Sequence, residues 1–320
     1  MRFVVYGAGA VGGVIGARLH LAGQDVGIVA RGPNLATMRE HGLRLESAEG
    51  STTVRLPVGT TLADLTVGDD TCVLVTVKGQ DTAAVLSDLV AHLPAGATVA
   101  CVQNGVANER AALRSFGHVL GVCVMLPATH LEPGVVVAAS SPVPGMLDTG
   151  CYPEGSDDRA EGLVAAFRDA GFDAIVRPDI MAWKHRKLVS NLGNAVQAAY
   201  HPGKDRDRLS ALVREEGERV LGTAGVPCVT RTQDAERRGE ILSPGAIGGR
   251  GGGSTWQSLA RGTGAVETDW LNGEIILLGR LHRLPTPANA LVRAAVLDLA
   301  HRRAEPSTLA AADALASLAG

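Results

Sequence analysis

A Val-rich opening, Met1-Arg2-Phe3-Val4-Val5-Tyr6, runs directly into Gly7-Ala8-Gly9-Ala10-Val11-Gly12. This G-x-G-x-x-G segment constrains the chain more than any other feature. Gly7 permits a tight strand-to-helix turn, Gly9 lets backbone approach a pyrophosphate, and Gly12 lets helix and strand pack closely. Val14, Ile15, Leu19 and Leu21 then follow at helical spacing. Phosphates would rest on the free N–H groups and positive dipole end of that helix. The opening predicts a dinucleotide-binding fold, with all six residues from Gly7 to Gly12 at the cofactor.

A second strand, Asp25-Val26-Gly27-Ile28-Val29-Ala30, ends at Arg31, about 20 residues past the last glycine, where the residue type sorts NAD from NADP. An acidic side chain there would bind the ribose 2′-hydroxyl. An arginine offers a permanently charged fork that suits a 2′-phosphate. Arg31 therefore points to NADP(H).

The remaining composition sets limits. A chain of 320 residues with 46% hydrophobic residues can bury two cores without help from disulfides. The five cysteines, Cys72, Cys101, Cys123, Cys151 and Cys228, are scattered and include no C-x-x-C pair, as expected in a reducing compartment. The fold begins at Met1, which leaves no room for a signal segment. No apolar run approaches the roughly 18 residues of a membrane span. Net charge is −3, and the basic pairs Arg237-Arg238 and Arg302-Arg303 are expected on helix surfaces. Neither nucleic acid nor membrane is implied as a partner. The expectation is a soluble, cytoplasmic protein.

Apolar strands alternate with helices through the first half. Strands are expected at Leu43–Leu45, Thr53–Pro57, Thr71–Val77, Thr98–Val102, Val119–Leu126, Val135–Ala139, Met146–Thr149 and Ala174–Arg177, and helices through Ala83–Val90 and Ala160–Ala170. Val-rich runs between helices mark a parallel sheet covered on both faces. From about Asp179 helical spacing takes over, in Trp183–Tyr200, Arg208–Ala224, Trp256–Leu259, Val266–Leu281 and Ala288–Arg303. Thr286-Pro287 reads as a helix start with a capping hydroxyl. The glycine-rich stretch from Ser243 to Gly253 reads as a loop joining two helices, with a lid element as the alternative. The fold class is thus α/β: a Rossmann-type doubly wound parallel sheet in residues 1–178, which binds NADP, followed by an all-α substrate and catalytic domain in residues 179–320.

In such sheets ligands sit beyond the carboxyl ends of the strands. Two strands here end in Thr76-Val77-Lys78 and Gln103-Asn104-Gly105. Lys78 would meet cofactor phosphate or a substrate carboxylate, and Asn104 would hold nicotinamide or substrate through its amide. A helix cap or a turn is the alternative for each. In the helical half, Lys187, Asn191 and Asn194 fall at spacings of four and seven on one helix face. This stripe fits a polar cleft wall, or a solvated face if taken alone. Trp270, Leu271, Ile275 and Leu278 form an apolar stripe that could pair two copies as a homodimer, or equally be core.

With these motifs in place the chain resembles the ketopantoate reductase (2-dehydropantoate 2-reductase) family over nearly its whole length. The shared features are G-A-G-A-V-G at Gly7–Gly12, Arg31, V-K at Val77-Lys78 and Q-N-G at Gln103–Gly105. W-x-x-x-K-L-x-x-N at Trp183–Asn191, S-x-x-Q at Ser254–Gln257 and E-x-D-x-x-N-G at Glu267–Gly273 complete the set. The resemblance implies NADPH-dependent reduction of a 2-oxo acid to a 2-hydroxy acid, ketopantoate to (R)-pantoate in pantothenate biosynthesis. It places the general acid on Lys187, an acidic partner on Glu267, and substrate binding on Asn104, Asn191 and Ser254; Asn194 joins the substrate-binding set from its place on the helical stripe. No metal is expected. The chemistry agrees: hydride delivery leaves an alkoxide, which a lysine in a cleft can protonate, burial drawing its pKa toward working pH.

The chain departs from the family pattern on the substrate side. The spacing from Lys187 to Asn194 is one residue short, Ala195 stands where a proline is common, and His201–Asp205 lacks an asparagine. One residue is gained between Gln257 and Glu267. Another 2-oxo acid or an imine is accordingly the nearest rival substrate. A non-catalytic NADP-sensing regulator is the rival from a different class.

Overall fold

A computed structural model describes residues 1–130, 132–242, 252–262 and 264–319. The chain divides into two compact units. The first holds Met1–Gln103, Asn108–Met181 and Thr232–Gly249, and the second holds Asn104–Ala107, Ala182–Arg231 and Arg250–Gly320.

In chain order the first unit runs β1 (Arg2–Tyr6), α1 (Ala10–Leu21), β2 (Val26–Val29), α2 (Gly32–His41), β3 (Leu43–Ser47), β4 (Gly50–Val54), β5 (Val58–Gly59) and β6 (Thr71–Val75). It continues through α3 (Thr82–His92), β7 (Thr98–Cys101), α4 (Asn108–Leu113), β8 (Val119–Met125), β9 (Ala128–Thr129), β10 (Val135–Ala138), β11 (Met146–Cys151) and α5 (Asp158–Asp169). Seven strands form the main sheet in the order β11-β8-β7-β6-β1-β2-β5. All neighbours are parallel except β11, which runs antiparallel to β8. The order reverses between β1 and β6, so the loops after these two strands border the crevice where nucleotides bind in such sheets.

Both faces of the sheet are covered, which explains the continuous apolar strands. Phe3 and Val5 point into one core with Val14, Ile15 and Phe167, whereas Val4 points into another with Val85 and Leu89. Alternate residues of one strand thus feed two cores.

A second sheet, β4-β3-β10-β9, was not anticipated as separate. It packs over α1, which is held between the two sheets by its glycines. A Cβ on Gly13 would lie 2.5 Å from Val136 Cγ1, and one on Gly16 would lie 2.8 Å from Ile28 Cδ1. The stretch expected as a strand at Ala174–Arg177 makes only isolated bridges. It follows β11 through bonds from Leu147 N to Asp173 O, Thr149 N to Ile175 O and Arg177 N to Thr149 O.

The later helices are α6 (Ile180–Asn191), α7 (Gly193–Ala199), α8 (Lys204–Thr223), α9 (Arg231–Arg238), α10 (Ser254–Ala260), α11 (Asn272–Leu281), α12 (Pro287–His301) and α13 (Ala311–Ala319). The single helix expected over Trp183–Tyr200 is two, α6 and α7. At the break the Leu192 amide is shared between the Leu188 and Val189 carbonyls, and Asn272 Nδ2 takes the Leu192 carbonyl at 3.3 Å. Thr286 does not cap α12 through its hydroxyl. The buried Glu216 caps it instead, accepting from Ala288 N at 3.1 Å and Asn289 N at 2.9 Å.

The division between units falls inside two helices, α6 and α9. In the second unit Glu218 of α8 accepts Arg231 Nε and Nη2 at 2.8 Å each, and it also pairs with Arg186 of α6. Arg231 holds the Glu218 carboxyl down to about 2, burial opposes, and Arg186 adds to the depression. In the first unit buried Asp148 accepts Arg237 Nε at 2.9 Å and Nη2 at 2.6 Å, and Arg177 Nε at 3.3 Å. Arg237 also pairs with Asp173. The expectation of a surface Arg237 is therefore corrected: it serves a buried carboxylate, and its own charge is strengthened by that pairing despite desolvation.

Candidate active site

In the first unit the Gly7–Gly12 turn is shaped for close packing on one side and open on the other. A Cβ on Gly12 would fall 2.1 Å from Gly7 O and 2.3 Å from Thr76 Oγ1, whereas a Cβ on Gly9 would meet nothing within 4 Å. Gly7 has a φ of +117°, in the region open to glycine at little cost. Thr76 Oγ1 donates to Gly7 O at 2.7 Å and pins the turn from β6. Asn34 Nδ2 binds Ala8 O at 2.7 Å, while its Oδ1 accepts Gly134 N at 2.7 Å. Helix α1 has Gly9 as N-cap, no capping side chain and no acid in its first turn. Ala10, Val11 and Gly12 begin that helix, so its first-turn amides have nothing negative near them in sequence. The residues present fit a dinucleotide phosphate.

Arg31 stands at the N-cap of α2 with its side chain 82% exposed, and its Nη2 pairs with Asp81 Oδ2 at 2.9 Å. Lys78 opens the single 3-10 turn Gly79–Asp81 that carries Asp81. Behind it, Gln103 Nε2 donates to Val77 O at 2.8 Å and Thr82 Oγ1 at 2.9 Å, and Thr82 Oγ1 donates to Asn108 Oδ1 at 3.0 Å. This buried network fixes the backbone from which Asn104 follows.

In the second unit three of the expected residues meet. Lys187 Nζ donates to Asn104 Oδ1 at 2.8 Å, and Asn191 Nδ2 approaches the same oxygen at 3.4 Å. Gly105 turns the chain after Asn104 with a φ of +83°, and a Cβ there would fall 2.8 Å from Trp270 O. The lysine and Asn191 lie one turn apart on α6, as the spacing predicted.

The other expected residues sit on neighbouring elements. Asn194 lies beyond the helix break on α7, its Oδ1 3.1 Å from where a Cβ on Gly253 would stand. Ser254 is the first residue of α10, whose N-cap is Gly253. Gly253 N is held by Gln197 Oε1 at 2.7 Å. Glu267 is half-buried at the N-cap of the 3-10 turn Thr268–Trp270. Most of the glycine-rich loop, residues 243–251, lies outside the described residues.

Sequence reasoning missed Asn34, Thr76 as a pin, Asp81 and the Gln103-Thr82 network. Only Thr76 and Gln103 carried a signal, as polar residues at strand tips. No group of metal-ligating side chains occurs among the described residues, and no helix among them is long and apolar enough to cross a membrane.

Fold and site together define a Rossmann-type, dinucleotide-binding oxidoreductase with a lysine-bearing helical unit. A family model described as Ketopantoate reductase PanE/ApbA matches residues 3–153, and its C-terminal counterpart matches residues 179–300. The chain belongs to the ketopantoate reductase family. A 2-dehydropantoate 2-reductase of Archaeoglobus fulgidus is 30% identical over 87% of this chain and 90% of its own. The crystal structure of a PanE/ApbA family ketopantoate reductase from Ralstonia eutropha is 27% identical, with a TM-score of 0.79 over 95% of this chain and 99% of that one. D-Mandelate dehydrogenase, in a ternary structure with NADH and anilino(oxo)acetate, has a TM-score of 0.83 at 19% identity over 95% and 99%. That last likeness is one of fold.

Proposed function

We infer that this chain reduces ketopantoate (2-dehydropantoate) to pantoate with NADPH. The observation that carries the reading is the Lys187 ammonium, held 2.8 Å from Asn104 Oδ1 within a member of a reductase family. When bound, NADPH supplies a hydride to the ketone carbon. The chain's residues do the rest. Gly7, Ala8, Gly9, Ala10, Val11 and Gly12 would hold the pyrophosphate, Arg31 would hold the 2′-phosphate, and Lys78 would add positive charge at the tip of β6. Asn104 would offer its amide to the nicotinamide or to the substrate.

Lys187 protonates the ketone oxygen as negative charge develops on it, the step for which general acids contribute about 10²–10⁴-fold. Asn104 fixes the Lys187 ammonium by accepting one of its N–H donors. Asn191 and Asn194 offer uncharged amide donors to the ketone or carboxylate. Ser254 offers a hydroxyl, and Glu267 an acceptor for a substrate hydroxyl or for the ammonium. The free state of all five cysteines supports a reducing, cytoplasmic setting. The partner is a small molecule. Leu271 and Ile275 of the stripe offered for pairing are buried in the helical unit itself.

Following NADPH absorbance with a panel of 2-oxo acids and imines tests the reading. Ketopantoate should give the highest kcat/KM. A higher value with another acid or an imine would replace the substrate, and tight NADPH binding without turnover on any of them would favour a sensor.

A further inference from the structure

We propose that Asp81 is a specificity-determining residue: its carboxylate holds down the preference for a 2′-phosphorylated nucleotide and keeps NADH usable beside NADPH. The inference rests on the NADPH reading above and adds to it an opposing residue on the same unit.

Arg31 follows β2 and Asp81 follows β6, and these strands flank β1 on either side. Their ion pair, Arg31 Nη2 to Asp81 Oδ2 at 2.9 Å, thus spans the tip of β1 where the glycine turn begins. The guanidinium is 82% exposed and the carboxylate 30%. A pair so open to water contributes little to stability, so a strut is a poor account of it. The turn that bears Asp81 has opposite charges at its two ends. Lys78 opens it, Asp81 closes it, and Asp81 N donates to Lys78 O at 2.9 Å.

A 2′-phosphate carries a charge of about −1.5 to −2 near neutral pH, as other phosphomonoesters do. Arriving on Arg31, it must share the guanidinium with Asp81 and bear the repulsion of that carboxylate. A ribose with a free 2′-hydroxyl meets the opposite situation. Its O–H can donate to a carboxylate, the role an acidic residue plays in NAD-selective sites. Arg31 and Asp81 therefore pull selectivity in opposite directions from the two sides of β1.

Calorimetric titration of the full chain with 2′,5′-ADP and with 5′-AMP reads this without turnover. Asp81→Asn should raise the preference for 2′,5′-ADP by about tenfold, chiefly through tighter 2′,5′-ADP binding, the scale expected on removing one partly screened charge. Asp81→Glu keeps the charge and should retain the wild-type ratio. In turnover the same change should appear as a lower KM for NADPH with kcat unchanged. A preference that stays the same or falls in Asp81→Asn would overturn the proposal, a fall showing that Asp81 orients Arg31 for phosphate. Arg31→Ala separates the two readings. If it leaves 2′,5′-ADP binding intact, the 2′-phosphate assignment fails. The proposal then stands only if Asp81→Asn still raises the preference.

Discussion

Lys187 Nζ and Asn191 Nδ2, four residues apart on α6, converge on one acceptor, Asn104 Oδ1, at 2.8 and 3.4 Å. The amide oxygen thereby helps to set where the ammonium sits. Lys187→Ala should lower kcat by roughly 10²–10⁴-fold while NADPH affinity holds. Single-turnover kinetics with a parallel fluorescence titration of NADPH checks both halves. An unchanged kcat would remove Lys187 from the chemistry.

The two glycines of the turn separate folding from binding. Gly9→Ala places a methyl in open space, so its melting temperature should match wild type while NADPH binding weakens by at least about tenfold, since the backbone can no longer approach the pyrophosphate. Gly12→Ala drives a methyl into Gly7 O and Thr76 Oγ1, and should lower the melting temperature itself. Thermal melts and NADPH titrations of both variants, side by side, decide it. Equal melting temperatures would contradict the packing described for Gly12.

Glu218 ties α6 and α9 to α8 through Arg186 and Arg231, and its pKa is lowered from 4.5 to about 2. A depressed carboxylate contributes stability that is fully present above its unfolded pKa and lost as pH falls through the folded one. The melting-temperature gap between wild type and Glu218→Gln should be steady above about pH 5 and shrink as pH falls toward 2. A gap that grows on acidification would reverse the sign.

Arg237→Ala should cost about 3 kcal/mol, because it strips the principal partner from a buried carboxylate, Asp148. Denaturant unfolding measures this. Arg238→Ala, which loses a part-buried pair with Asp234 one turn away, should cost about 1 kcal/mol, less than the loss of Arg237. Similar costs for the two would contradict the burial of Arg237.

Local chemistry made much of the architecture legible in advance. The glycine turn and the all-apolar strands obey rules that act within a few residues, and β1, β2, β6, β7, β8 and β10 fall where those rules put them, whereas Ala174–Arg177 does not form a strand. That Lys187 and Asn191 share one face of α6 followed from helical spacing, but their meeting at Asn104 did not. What stayed hidden depends on partners far along the chain. The helix break at Leu192 comes from Asn272, eighty residues on, and the cap of α12 comes from Glu216, while Thr286 beside it goes unused as a hydroxyl cap. Arg237-Arg238 reads as a surface pair because helical spacing says nothing of Asp148 at a sheet edge. A boundary at residue 178 lies three residues from the crossing inside α6. The short excursion Asn104–Ala107 and the return Thr232–Gly249 have no compositional mark. Asp81 was likewise invisible, since its meaning comes only from strand order.

The most direct test of the central claim is the yield of pantoate from ketopantoate at saturating NADPH, wild type against Lys187→Ala. The account predicts equimolar pantoate and oxidised cofactor with wild type, and almost none with the variant although it binds NADPH equally well. Pantoate from the variant at the wild-type rate, or none from wild type, would contradict it.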